Sequence, residues 1–154
     1  MSQDMKKNPN RDIACNKKAF FEYALLERFE CGIELKGPEV KSSRQGKVAL
    51  SGSFVRVENA QAYVYGMHIS PYEQSGPYAP DPKRTRRLLL HKRQIGQLSG
   101  LMSQRGYTLV PVRVYLKKGF IKIEIAVARG KKLFDKRDKL RQKTIEMEIK
   151  RSIK

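Results

Sequence analysis

The chain has 154 residues and carries 33 lysines and arginines against 15 aspartates and glutamates, a formal charge of +18. That length supports one domain core with a tail to spare, and that charge repels itself unless a polyanion relieves it. No apolar run approaches the ~20 residues of a membrane span and no lipidation signal is present, so an anionic membrane is disfavoured and nucleic acid is left.

In chain order, the stretch "MSQDMKKNPNRD" is polar and lacks the apolar segment of a secretory signal, so a reducing cytoplasm is expected, with Cys15 and Cys31 as free, inert thiols. Asn8, Pro9 and Asn10 break any regular element, which predicts a flexible arm over residues 1–14 and order from near Asn16. From Phe21 to Cys31 the odd positions are mostly apolar, the pattern of a half-buried strand, although Leu26 and Glu27 disturb the alternation. In "GPEVKSSRQG", Pro38 suits a first helical position and Gly46 a left-handed stop, giving a short helix whose cations are Lys41 and Arg44.

Two β-rich runs follow, "VALSGSFVRVEN" and "QAYVYGMHIS", with Asn59 and Ala60 where a hairpin would turn. Pro71, Pro77, Pro80 and Pro82 then force an exposed excursion. Ile95, Leu98 and Met102 recur at helical spacing from about Lys92, with Gly106 as the stop. Thr108, Val110, Val112, Val114 and Leu116 alternate, "KKG" turns the chain, and Ile121, Ile123, Ile125 and Val127 resume the alternation in a second hairpin. Five or six strands with one helix before the last pair predict a mainly β fold over residues 15–128, an OB-like small barrel with flanking helices. From Arg129 the β pattern stops, and the tail holds 11 basic and 4 acidic residues with only a thin stripe of Ile145, Ile149 and Ile153.

Catalytic signatures are missing: no Gly-rich phosphate loop, no G-x-S-x-G, no H-E-x-x-H. The cysteines lie in no C-x-x-C, and His68 and His91 are not spaced to complete a zinc site, so neither metal nor cofactor is expected. Glu22, Glu27 and Glu30 are paired carboxylates of the kind that hold magnesium, but acids balancing adjacent cations are the simpler reading. His91 precedes a helix with Gln94 three residues on, a partial capping box.

The charge is concentrated instead in "DPKRTRRLLLHKR", where Arg84, Arg86, Arg87, Lys92 and Arg93 surround three leucines. Arginine forks grip phosphates and stack on bases, so this segment beside Tyr72 and Tyr78 has the parts for irregular RNA. In an extended segment Leu88 and Leu90 enter the core while Leu89 points out among the cations, where it can pack on an unstacked base.

The segments "NKKA", "FECGIELKGPEVKSSRQGK", "MHISPYEQ", "DPKRTRRLLLHKR", "GYTLVPVRVY" and "ARGKKLFDKR" occur in the order seen in small protein B, and from about Asn16 to Arg137 the chain resembles that family of SsrA-binding proteins. The resemblance implies an OB-like barrel that binds the tRNA-like domain of transfer-messenger RNA and delivers it to the stalled 70S ribosome for trans-translation. It also implies that Asn16, Glu30 and Leu89 belong to the RNA-binding surface, supported by Lys17, Lys41, Arg44, His68, Arg84, Arg86, Arg87 and Lys92. For Glu30 two roles stay open, accepting from base amino groups or orienting a neighbouring cation.

The resemblance further implies a ribosome-facing tail over residues 129–154, disordered alone and helical in the mRNA channel, with Gly130, Lys131, Lys132, Phe134, Asp135, Lys136 and Arg137 carrying the match. Phe134 has two roles open, stacking on a ribosomal base near the decoding centre or packing on the barrel. Pro38 and Ser43 depart from the family pattern. A monomer with no membrane attachment is expected. The competing readings are a structural ribosomal protein of OB type and, more remotely, a magnesium-dependent nuclease using Glu22 and Glu27.

Overall fold

The strongest sequence signal forms a long hairpin in a computed structural model that describes residues 10–104 and 106–130: β8, Tyr107–Lys117, folds back on β9, Phe120–Gly130. Lys118 and Gly119 turn the chain with φ of 52° and 83°. Positive φ at both central residues matches the right-handed twist of the flanking strands.

The remaining elements in chain order are β1 (Asn10–Cys15), α1 (Lys17–Glu22), β2 (Tyr23–Ile33), α2 (Gly37–Arg44), β3 (Val48–Ala49), β4 (Phe54–Glu58), β5 (Gln61–Tyr65), β6 (His68–Ile69), a 3-10 segment (Glu73–Tyr78), β7 (Arg86–Leu89) and α3 (Lys92–Met102). The main sheet runs β1-β8-β4-β5-β7-β2-β9 and closes through β8–β9, all pairs antiparallel. Closure of the six strands from β8 round to β9 removes the edges an open sheet would expose, leaving β1, among the described residues, paired on one side only. The OB-like expectation therefore holds in outline, with β3–β6 as a separate two-stranded ribbon.

Inward positions of the strands fill the interior: Cys31, Val64, Leu88, Leu109, Val114, Ile123 and Ile125 are buried, and Leu98 of α3 plugs the same cluster. Burial pushes the Cys31 thiol up to about 12, which keeps it protonated and inert. Both cysteines are unbridged.

The disturbance at Leu26 and Glu27 is a β-bulge, because the β2–β9 register slips between Leu25↔Ala128 and Arg28↔Ala126. A second bulge falls between Pro111 and Arg113 of β8, where a proline lacking its N–H costs least. Asn16 is bound to this second irregularity: its backbone N–H donates to the Val112 carbonyl at 2.8 Å and its side-chain Nδ2 to the Pro111 carbonyl at 2.8 Å.

Several boundaries differ from expectation. Residues 10–15 are not part of an arm; β1 pairs along Arg113–Lys117 of β8, an edge that β4 leaves open by meeting β8 only at Leu109. Residues 1–9 lie outside the described residues. The run "VALSGSFVRVEN" is two strands, since Gly52 at φ 79° breaks it and Val48 pairs with Ile69 in the ribbon. The barrel also runs past residue 128, because Arg129 and Gly130 pair with Ala24 and Tyr23.

Candidate nucleic-acid interface

On β7 the side chains alternate, Arg86 and Leu88 buried and Arg87 and Leu89 exposed. Leu88 is fully buried, Leu90 packs against the core, and Leu89 stays 47 % exposed, as the alternation requires. Gly32 of β2 lies directly across from Leu89 in the ladder. A Cβ at Gly32 would stand 3.1 Å from the Leu89 Cβ, so the missing side chain is what gives Leu89 its seat.

Leu89 forms one wall of a groove of about 710 Å³ that also includes Glu30, His91, Gln94, Lys117, Phe120 and Lys122. Phe120 is 69 % exposed, so two large apolar groups face solvent amid lysines. Apolar surface for a base, ringed by cations for phosphates, is the arrangement that grips irregular RNA.

Glu30 accepts from Lys117 Nζ at 3.0 Å. That hydrogen bond, working against mild desolvation and aided by the Tyr115 hydroxyl, holds the Glu30 carboxyl below its ordinary range. Burial and the Glu30 contact push the Tyr115 hydroxyl up, and Arg113 lies 4.3 Å from the Tyr115 ring centroid. Of the two roles open for Glu30, the structure displays the partner of a cation.

The arginine cluster divides. Arg86 is corrected: its guanidinium is wholly buried, Nε donating to Glu39 Oε2 at 2.7 Å, Nη1 to the Met67 carbonyl at 2.7 Å and Nη2 to the Pro82 carbonyl at 3.0 Å. An inward position on β7 brings it inside, and a buried guanidinium must spend its donors on the protein. Arg84 is partly withdrawn as well, bound through Nε to both Glu39 oxygens at 3.1 Å. Arg87 remains at the surface, 3.0 Å from Glu34.

A family model described as SmpB protein matches residues 13–154. The SsrA-binding protein of Caldicellulosiruptor bescii is 51 % identical over 154 residues, covering 100 % of this chain and 98 % of its own length. The chain belongs to the SmpB family. The SsrA-binding protein of Caldanaerobacter subterraneus subsp. tengcongensis is 54 % identical over 142 residues, 92 % of this chain and 90 % of that one. A solved structure described as "tmRNA-SmpB: a journey to the center of the bacterial ribosome" superposes with a TM-score of 0.65 at 43 % identity, covering 80 % of this chain and 85 % of that chain.

The other residues that the SmpB resemblance singled out are dispersed. Asn16 is 4 % exposed and caps α1, its Oδ1 accepting from the Ala19 N–H at 3.2 Å, so the side chain is committed to the fold rather than free for RNA. Lys17 is exposed beside it on α1. Lys41 sits 5.3 Å from the Tyr72 ring centroid. Arg44 donates to the Gly119 carbonyl at 3.2 Å, which ties α2 to the β8–β9 turn. His68 is half-buried in the ribbon, and Lys92 is exposed in the first turn of α3. His91 takes the capping position, its N–H donating to Gln94 Oε1 at 3.2 Å. Gly130 ends β9, while Lys131, Lys132, Phe134, Asp135, Lys136 and Arg137 lie outside the described residues.

Sequence reasoning missed Gly32, Lys117, Phe120 and Lys122. Lys117, Phe120 and Lys122 share the β8–β9 hairpin, far in sequence from Gly32 and Leu89, and the β2–β7 and β2–β9 registers bring that hairpin to Leu89. Glu22 and Glu27 are exposed, and among the described residues no cluster of acids, histidines and cysteines is arranged to hold a metal. No helix among the described residues is long and apolar enough to cross a membrane.

Proposed function

We propose that this chain binds the tRNA-like domain of transfer-messenger RNA and delivers it to ribosomes stalled without a stop codon, acting in the cytoplasm as a monomeric binding protein rather than an enzyme. The observation that carries the reading is the Leu89 groove: exposed Leu89 and Phe120 beside Glu30–Lys117 and Lys122, on a chain of formal charge +18. Its relatives are named for SsrA binding, and the structural neighbour's description joins tmRNA and ribosome.

Within this reading Leu89 packs on RNA, Arg87, Lys92, Lys117 and Lys122 supply cations, and Glu30 holds Lys117 in place. Asn16 and Arg86 act from beneath by fixing α1 and β7. Residues from Lys131 onward, with Phe134 at their head, face the ribosome.

The test is a gel-shift titration of the full chain against transfer-messenger RNA and, in parallel, a ribosomal RNA fragment of equal length. Preference for transfer-messenger RNA is expected, and Leu89→Asp is expected to weaken it about tenfold or more, the worth of a lost base contact, with an unchanged circular dichroism spectrum. Equal affinity for both RNAs supports a structural ribosomal protein instead.

A further inference from the structure

A second surface with the parts for RNA shares no lining residue with Leu89's groove. In the closed ring β5 pairs with β7 through Ala62↔Leu88, Tyr63↔Arg87 and Val64↔Arg86, so Tyr65 lies beyond the Arg86 end of β7, away from Leu89. On this surface Phe54 of β4 and Tyr65 of β5 face each other in register. Their rings stack with centroids 5.3 Å apart and planes 10° from parallel.

Arg56, two residues along the same face of β4, places its guanidinium 5.3 Å from the Phe54 centroid and 5.9 Å from that of Tyr65. Phe54 remains 37 % exposed. The Tyr65 hydroxyl donates to Glu58 Oε1 at 3.0 Å, which fixes the ring at its far end and occupies the adjacent acid.

Phe54 and Arg56 form a ridge between two grooves, of about 470 and 420 Å³. The larger is walled on its other side by Tyr107, and Arg129 lies 5.3 Å from that ring's centroid. Among the described residues none lining this groove is acidic. The smaller groove reaches Lys18 and, among the described residues, contains a single acid, Glu22.

We infer that the Phe54–Tyr65 stack with Arg56 and the adjoining Tyr107–Arg129 pair form a stacking platform for an unpaired base of single-stranded RNA. Stacked aromatics give a base a flat apolar face without sequence demands, and guanidiniums beside them take the flanking phosphates. A docking surface for an acidic peptide would need cations but not a pair of stacked, near-parallel rings beside two grooves. The platform shares no residue with the Leu89 groove, so the protein can hold two RNA segments at once.

The test uses the full chain and a short oligouridine carrying 4-thiouridine, irradiated and mapped by mass spectrometry of the protein fragments. Adducts are expected on residues 54–65 and around Tyr107, and Phe54→Ala with Tyr65→Ala is expected to abolish them. Arg56→Ala is expected to weaken oligouridine binding about tenfold. Phe54→Tyr, which keeps a ring, should retain the adducts, and circular dichroism establishes that each variant is folded. Adducts confined to the Leu89 groove or to residues beyond Gly130 overturn the proposal. Displacement of the platform adducts by an acidic peptide but not by unlabelled oligouridine overturns it too, in favour of a protein partner. Either failure leaves the transfer-messenger RNA titration untouched, because that titration reads Leu89.

Discussion

Arg86 and Glu39 form a buried pair, guanidinium Nε to carboxylate Oε2 at 2.7 Å, that joins β7 to α2 across 47 residues of chain. Arg84 binds the same carboxylate from the partly exposed side. Two of the arginines in the basic cluster are thus occupied in holding that cluster against the barrel, which leaves Arg87 and Leu89 pointing outward at fixed positions.

Removing the acid leaves a buried guanidinium without its counter-charge. Glu39→Ala is expected to lower the unfolding free energy by about 3–5 kcal/mol, measured by urea denaturation. Burial by itself pushes the Glu39 carboxyl up, but hydrogen bonds from Arg84, the Lys36 backbone and Arg86 outweigh it and hold the group below the ordinary value of 4.5. Because the folded-state value is the lower one, the stabilisation is fully present above that ordinary value. It is lost as pH falls through the folded-state value, so urea midpoints should drop on acidification, and the drop should be smaller in Glu39→Ala.

Gly32 gives an independent handle on Leu89. Gly32→Ala places a methyl 3.1 Å from the Leu89 Cβ, which must yield by a few tenths of an ångström. Alanine also restricts the unfolded chain, so thermal stability is expected to hold or rise slightly while affinity for transfer-messenger RNA falls severalfold. A gel shift and a melting curve on the same sample separate the two effects.

The Glu30–Lys117 pair makes a spectroscopic prediction. With Lys117 replaced by methionine, the Glu30 carboxyl is expected to titrate at higher pH than in the parent chain, because its main hydrogen-bond donor is gone. Side-chain carboxyl NMR over an acidic titration reads the shift directly.

The β4–β5 turn holds a correctable strain. Ala60 sits at φ 58°, a left-handed conformation in which its Cβ crowds the backbone. Ala60→Gly is expected to raise stability by about 1 kcal/mol, read as an increased urea midpoint with unchanged RNA binding.

Separating barrel from tail requires the cut to follow the structure. Ending the chain after Gly130 keeps the whole of β9 with its Tyr23↔Gly130 pairing, whereas a cut after Ala128 removes two ladder residues. The shorter chain is expected to keep binding to transfer-messenger RNA, losing only the counterion-release share of the tail cations, and to lose peptide tagging on stalled ribosomes.

Much was readable along the chain because it is written in local periodicity. The alternation from Thr108 to Val127 specified the β8–β9 hairpin, Asn59 and Ala60 marked their turn, Ile95, Leu98 and Met102 marked α3, and the inside-out-inside order of Leu88, Leu89 and Leu90 survived intact. Even the bulge at Leu26 and Glu27 showed as broken alternation. Charge and motif order led to the SmpB family before any contact was known.

Only the tertiary structure decided which cations are free. The alternation that sends Leu88 inward sends Arg86 inward with it, but the acid that meets it there, Glu39 of α2, is 47 residues away and is brought to it only by the packing of α2 on β7. The assembly of Glu30, Gly32, Leu89, Lys117, Phe120 and Lys122 into one groove, and of Phe54, Arg56 and Tyr65 into a platform, likewise depends on pairings between distant strands. Periodicity fixes which face a side chain takes within its own strand, while neighbours across a barrel are set by closure, and closure is a property of all the strands together.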